Sequence, residues 1–466
     1  MTVQNCTSVG TGDWDDGSTW STGSAPQAAE HVIIANGHDV TIDTSSAVRS
    51  LTVQDGGKLI GNSSYTIRIT HEGTASFGTN TFAVSFAADG GNGGSELGAN
   101  VNLDVETSDS TMLRIQPVTG NLHNFEISHP NVLAYLTQNT TLAGNLTIGS
   151  GRLDTDSSGN YSLTVTGACE VTGTLTCNAS AVTLGSLDVV SGATFSAPSD
   201  SGSGLLTIGN ATQSAHAGTR GFAVDMNGGT TFTHNSGTIR FTGTQNISPA
   251  YRGAATYNNV TFAQSGSITY MDTETGDNWI IAGTLTINAG ATLTNQGYDD
   301  RINCTGACSI AGTLNLNHAS GGDHSFGSMT IASGGEYSAT SGTTTINGGG
   351  SCLDFTAGTL THNNGLFKIS GGNGTNIKTT GATANDNLYD LEIDSSESSA
   401  ASTAWLGDGT VIEGNLTLTE GKFYPNTSSQ DFIVKGNTSI KADATFGNMG
   451  GTQATGDYTF GGVVTN

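Results

Sequence analysis

Short runs in which apolar residues alternate with polar ones recur along the whole chain. Leu146/Ile148, Leu163/Val165, Val171/Leu175, Leu187/Val189 and Leu206/Ile208 are successive examples, 8 to 19 residues apart and separated by Gly, Asn, Ser or Asp. A period of two predicts short strands with one buried face. Val, Ile and Leu hold the inward positions, Thr and Ser the outward ones, and Gly and Asn supply corners with positive φ. Such a strand cannot bury its apolar side alone. Stacking successive turns gives a continuous core, so the pattern predicts an all-β protein built as a β-solenoid. With roughly 20 to 25 residues per turn and ~4.8 Å between turns, the expected rod is on the order of 90 to 110 Å long.

Above this beat lies a longer repeat. The segment 143–177 (AGNLTIGSGRLDTDSSGNYSLTVTGACEVTGTLTC) aligns without a gap with 282–316 (AGTLTINAGATLTNQGYDDRINCTGACSIAGTLNL), with 14 identities in 35 positions. A third copy starts at Glu413 as EGNLTL, which makes Gly144, Gly283 and Gly414 equivalent, at spacings of 139 and 131. Two upstream markers keep the same order. Asn124–Ile127, Asn259–Phe262 and Asp390–Ile393 precede the glycines by about 20 residues; Met112–Ile115, Thr238–Phe241 and Leu366–Ile369 lie further upstream. The expected divisions are therefore an N-terminal cap with the first coils over 1–80, then repeats over 81–225, 226–355 and 356–466, the last cut short. An array of β-sandwiches is the competing architecture. The repeats lack linkers and carry no Trp at a fixed place in every copy, which favours coils.

Composition narrows the class. Lys plus Arg is 14 and Asp plus Glu 39, giving a net charge of −25 in 466 residues. No Lys/Arg cluster is present to neutralise phosphates, so nucleic acid is not an expected partner. The 67 Gly and 6 Pro exclude collagen-like order. No stretch approaches the roughly 20 apolar residues of a membrane span, and MTVQNCTSVG has neither the basic start nor the apolar run of a secretory signal. The six cysteines (Cys6, Cys169, Cys177, Cys304, Cys308, Cys352) form no CxxC. Cys304 and Cys308 fall on one face of a predicted strand, roughly 13 Å apart and too far for a disulfide. Buried small apolar residues are the expected role, a bridge between stacked turns the alternative.

The N-terminal segment 12–61 carries Trp14, Thr19-Trp20, Pro26, His31-Val32-Ile33-Ile34, Gly37, Val40-Thr41-Ile42, Leu51-Thr52-Val53, Gly56-Gly57 and Leu59. This order resembles the start of right-handed parallel β-helix surface proteins, found among bacterial extracellular proteins and phage fibre, appendage and decoration proteins. The resemblance covers about 50 residues. It implies a right-handed parallel β-helix with an N-terminal cap and says little about activity, since one scaffold serves many functions. Trp14 and Trp20 are the expected plugs of the open end, glycan stacking being the other reading.

Candidate chemistry is sparse. Asp154, Asp156 and Ser158 match the first half of a calcium loop, but Val165 stands where the bidentate Glu belongs. The plain reading is an acidic turn, the alternative a surface Ca2+ site; no other cofactor is expected. Asp272, Glu274 and Asp277 form a similar loop. Asp13, Asp15 and Asp16, or Asp299 and Asp300, are candidate carboxylate pairs for a glycan-degrading enzyme, but no His, Arg or Lys recurs beside them. His234 and His362 lie in matching THN turns, which suits structural corners. Tyr135 and Trp405 each lie nine residues before a marker glycine and Trp279 four before. An aromatic ladder there would suit glycan or partner contact; aromatics folded over the core are the alternative.

The expected function is structural and adhesive rather than enzymatic: a fibre, appendage or capsid or tail decoration protein on a virion surface. Its partners would be other virion structural proteins and a host-surface glycan, with no membrane partner. A homotrimer is one expected assembly, although a single-chain solenoid closes its core alone. The rivals are a secreted bacterial adhesin or surface-layer or filament protein, outside the cell or on its surface, and a glycan-degrading tailspike-type enzyme.

Overall fold

The computed structural model describes the chain except residues 1–3, 71–81, 99, 107–109, 202–203, 210–222, 227, 244–254, 265–267, 272–277, 296–300, 318–321, 372–374, 379–386, 396–402, 407–409, 426–430 and 448–456. It is an all-β solenoid of parallel strands. Among the described residues the helical element is a single 3-10 turn, Gly17–Thr19, and no helix is long and apolar enough to cross a membrane.

Each strand pairs in parallel with the equivalent strand of the next turn. Phe125 lies beside Leu146, Leu146 beside Cys169, Cys169 beside Leu187, and Leu187 beside Val224. All five side chains are buried, so one inward column runs through successive turns. Burying each Leu or Phe contributes about 1.5–3 kcal/mol, which two- to four-residue strands obtain only by stacking. The alternation in the sequence survives as buried and half-buried positions in turn, as in His31–Ile34, Leu133–Leu136 and Asn259–Phe262.

The chain forms two compact units, Met1–Thr238 and Ile239–Asn466, whereas the sequence repeats divide it at 225/226 and 355/356. In the first unit a ten-stranded ladder begins at Asn5–Thr7, His31–Ile34 and Ser50–Val53 and ends at Thr194–Ser196 and Thr231–Thr233. A second ladder climbs through Thr66–Ile69, Asn102–Val105, Asn124–Ile127 and Leu146–Ile148. A short third one joins Gly12–Asp13, Asp39–Thr41, Lys58–Ile60 and Glu96–Leu97. In the second unit, Ile268–Met271, Thr292–Asn295, Thr313–Asn315, Glu336–Ser338 and Thr359–Thr361 form a five-stranded ladder. Val411–Ile412, Phe432–Val434 and Tyr458–Phe460 form a three-stranded one.

The three sequence repeats occupy equivalent registers. Phe125–Leu146–Cys169, Val260–Leu285–Cys308 and Leu391–Leu416–Thr438 are the same column in each copy. One detail differs from the sequence reading. Leu163/Val165 and Val171 belong to a single bent strand, Leu163–Val171, and Arg301–Ile310 repeats it. The register slips between Val165 and Ala168, and again between Cys304 and Ala307. Gly167 and Gly306 sit at these slips, so the chain turns the corner by a bulge instead of breaking the strand. All six cysteines are buried and free.

Candidate functional site

The first turn is built to cover its own edge. His31 N–H donates to Gln4 O at 3.0 Å and Ser8 N–H to Ile33 O at 2.9 Å, so these groups face the next turn. Thr7 and Val9 face the other way, where a free edge would invite another strand. There the chain doubles back. Val9 N–H donates to Thr19 O and Ser21 N–H to Thr7 O, both at 2.8 Å, and Thr7 N–H donates to Ser21 Oγ at 3.0 Å. The Ser8–Trp20 bridge is the antiparallel contact in a molecule whose ladders are otherwise parallel among the described residues. Trp14 and Trp20 are both buried and meet edge to face, ring centres 5.2 Å apart, with Trp20 Nε1–H donating to Trp14 O at 2.9 Å. Both rings lie inside the fold, away from any glycan.

Nearby, the Asp15 carboxyl is held above the usual range, first by its hydrogen bond to the Asp43 carboxylate and then by the charges of Asp43, Asp13 and Asp16. Asp16 is engaged differently: its carboxylate accepts Ser18 N–H and Oγ–H, both at 2.8 Å, and starts the 3-10 turn. Asp299 and Asp300, like Asp272, Glu274 and Asp277, lie outside the described residues.

The half-calcium loop folds on itself. Asp156, at φ 65°, donates its N–H to Asp154 Oδ1 at 2.8 Å. Its own carboxylate accepts Ser158 N–H, Ser158 Oγ–H and Gly159 N–H at 2.9–3.2 Å. Asp154 is buried, paired with Arg152 and accepting Asn178 Nδ2–H at 2.7 Å. These oxygens are occupied by the turn itself. Among the described residues no group of three or more His, Cys, Asp and Glu is placed to hold a metal ion.

The aromatic candidates do not form one ladder. Tyr135 is half-buried on the outward side of Leu133–Leu136, in register with Asp154 of the next turn. Trp279 is only 3% exposed and packs inside, against Tyr257 at 5.9 Å and Phe262 at 5.8 Å. It is therefore a core residue and not a contact residue: two positions before the inward Ile281, it shares that residue's face. Trp405 lies on Thr403–Leu406, in register with Asn376 and Tyr424; its side chain is outside the described set.

His234 and His362 adopt one geometry. In each turn Nδ1 accepts the N–H two residues on, at 2.9 Å from Ser236 and 3.0 Å from Asn364. The next residue, Asn235 or Asn363, has positive φ and ties its side chain to the preceding turn, to Ser196 Oγ and Ala197 O or to Ser338 Oγ and Ala339 O. These are corner residues.

Register also aligns residues that the sequence reading passed over. Arg68, Asp104, Glu126, Thr147, Glu170, Asp188 and Asp225 occupy one row on successive turns, about 4.8 Å apart. Arg68 pairs with Asp104 at 3.5 Å and with Glu106 at 3.3 Å. Desolvation raises the Asp104 and Glu126 pKa values, and neighbouring carboxylates, Glu106 for the first and Asp104 for the second, add to it. The signal was present in the sequence, since Glu126 and Glu170 flank the aligned marker residues Phe125 and Cys169, but only the register joins them. This row concentrates negative charge on one face.

Residues 19–78 match the G8 domain family model. The G8 segment supplies the strands from His31–Ile34 to Thr66–Ile69 and overlaps the stretch whose Trp, Val, Ile and Gly order resembles β-helix surface proteins. Its Trp20 takes part in the doubled-back cover of the first turn. No curated protein and no solved structure matches the chain.

Proposed function

We propose that this chain is a structural and adhesive surface protein, a stiff scaffold carried on a virion as a fibre, appendage or decoration. The observation that carries the reading is the continuity of the parallel registry, tied at the corners by side chains that bond from one turn to the next. Asn145 N–H donates to Asn124 Oδ1, and Ala168 N–H to Asn145 Oδ1, both at 2.9 Å. Backbone held in this way resists local opening, which suits a role that is mechanical and passive. Outward Thr and Ser keep the faces soluble, and the net charge of −25 discourages non-specific adhesion to anionic surfaces. Specific contact would then fall to outward side chains such as Tyr135, with a host-surface glycan as the expected ligand and neighbouring virion proteins as the expected partners.

Antibodies raised against the purified chain, applied to intact particles and to cells of the source, test this. Label at regular positions on particles is the expected outcome. Label confined to a cell envelope or to free filaments would replace it with the bacterial surface reading.

A further inference from the structure

We infer that His324 is an acid-sensitive latch in the core of the second unit, holding the start of the strand His324–Ile331 to the turn before it only while its imidazole is neutral. The ring stands in an inward column that runs Trp279, Ile302, His324, Thr344, Phe367 through successive turns, and all five residues are buried. His324 itself is 2% exposed. Its Nδ1 accepts the backbone N–H of Ile302 at 3.1 Å, which places the ring proton on Nε2. That Nε2 is buried with no hydrogen-bond partner among the described residues.

Each nitrogen makes acid costly. A proton added to Nδ1 abolishes the acceptor that Ile302 uses and sets two donors against each other. Among the described residues nothing accepts a hydrogen bond from Nε2 of the resulting cation, and Thr344 Oγ1 is already engaged with the Tyr337 hydroxyl at 3.0 Å. Among the described residues few titratable or charged groups surround it. Arg301, Cys304 and Cys308 come from the preceding strand, Asp323 lies on the His324 side, and Tyr337 and Glu336 come from Glu336–Ser338; Thr343–Ile346 brings none. Burial pushes the imidazole down to about 4; Asp323 opposes this weakly and Arg301 adds to it. Asp323 gives little relief because it is exposed and its Oδ1 accepts Thr343 N–H at 2.8 Å.

A histidine whose folded pKa is lowered contributes stability that is complete above about 6.5 and is lost as pH falls from there toward the folded value. In that window the open form binds one proton more than the closed one, so the opening constant rises tenfold per pH unit.

Two measurements on the full chain test this: the titration of the His324 ring followed by NMR, assigned by the signal missing in His324→Gln, and hydrogen exchange of the segment 301–310 between pH 6.5 and 4, corrected for the intrinsic rate. The expected result is a ring that stays neutral well below pH 6.5, with protection falling up to tenfold per pH unit in the wild type and by less in His324→Gln and His324→Phe. Gln keeps an acceptor for Ile302 without a charge, so it also guards against a Phe variant that fails to fold. A ring titrating near 6.5 with protection unchanged, or the same acid dependence in the variants, overturns the latch. If neither variant folds, the wild-type ring is assigned by its through-space contact with the Ile302 amide, and its titration decides alone.

Discussion

Asn437 donates its backbone N–H to the side-chain oxygen of Asn415, one turn earlier, at 3.0 Å. Asn415 does the same to Asp390, and Val463 N–H closes the series on Asn437 Oδ1 at 3.0 Å. In the other unit Asn145 N–H donates to Asn124 Oδ1 and Ala168 N–H to Asn145 Oδ1, while Asn124 reaches Asn102 Oδ1 through its side-chain Nδ2–H. On these turns one short Asn or Asp side chain thus satisfies a corner N–H. Asn415→Ala is expected to lower the stability of the last turns by about 1–2 kcal/mol, since it orphans the Asn437 amide. Asn415→Asp keeps an acceptor for Asn437 but replaces the Nδ2–H that Asn415 donates to Asp390 Oδ1 at 3.2 Å with a second carboxylate, so it is expected to destabilise at neutral pH and to recover as the pair is protonated. Hydrogen exchange of segment 432–440 in the two variants separates these outcomes.

The glycines stacked at the same corner have a different reason to be there. Gly306 N–H donates to Gly283 O at 2.9 Å, and a Cβ on Gly306 would lie 2.2 Å from that oxygen. At Gly167 a Cβ would meet Asn145 Oδ1 at 2.2 Å. The turns approach too closely at this corner for any side chain. Gly306→Ala is expected to cost about 2–3 kcal/mol through forced displacement of backbone, whereas Gly10→Ala, with nothing within 4 Å, stays within about 0.5 kcal/mol of wild type. Susceptibility to limited proteolysis at equal temperature compares the two.

These two columns explain why the solenoid was legible in the sequence. The AGNLTI and AGTLTI markers are the corner itself, Gly for the close approach and then Asn or Thr, followed by an inward Leu-x-Ile. What the pattern did not give was parity inside unbroken apolar runs. Ala134-Tyr135-Leu136 alternates cleanly, and Tyr135 faces outward as expected. Asn278-Trp279-Ile280-Ile281 does not alternate, so the side of Trp279 was open until Ile281 proved inward. His324 had the same signal, two residues before the inward Phe326, but a histidine in a core is expected only once a partner such as the Ile302 amide is seen. The row from Asp104 to Asp225 was hidden for another reason: it needs the length of every turn, and those lengths vary.

The cysteines lead to a chemical prediction. Burial raises every thiol, Cys6 and Cys304 to about 11 and Cys352 to about 12, and Cys169, Cys177 and Cys308 are raised well above the usual thiol range too. Thiolate is the reactive form, so at pH 8 the folded chain is expected to react far more slowly than a free thiol with a thiol reagent. Denaturant should release six equivalents without reductant, since all six are free. A count below six in denaturant would reveal a bridge.

Thr438 stands where Cys169 and Cys308 stand in the earlier copies, beside Leu416 as they are beside Leu146 and Leu285. It is 1% exposed, and its Oγ1 is buried with no hydrogen-bond partner among the described residues. A hydroxyl in an apolar column costs free energy that a methyl or a thiol does not. Thr438→Val keeps the shape and removes the orphan oxygen, so it is expected to stabilise the last turns by about 1 kcal/mol; Thr438→Cys restores the residue of the other copies and should act in the same direction. The reciprocal change, Cys308→Thr, introduces the hydroxyl into an otherwise apolar column and is expected to destabilise by about 1–3 kcal/mol. Exchange protection of the strands Leu416–Pro425 and Arg301–Ile310 reads all three locally, which matters because a long stack of turns need not unfold in one step. Equal protection in Thr438→Val and wild type would mean that the hydroxyl finds a partner in solution.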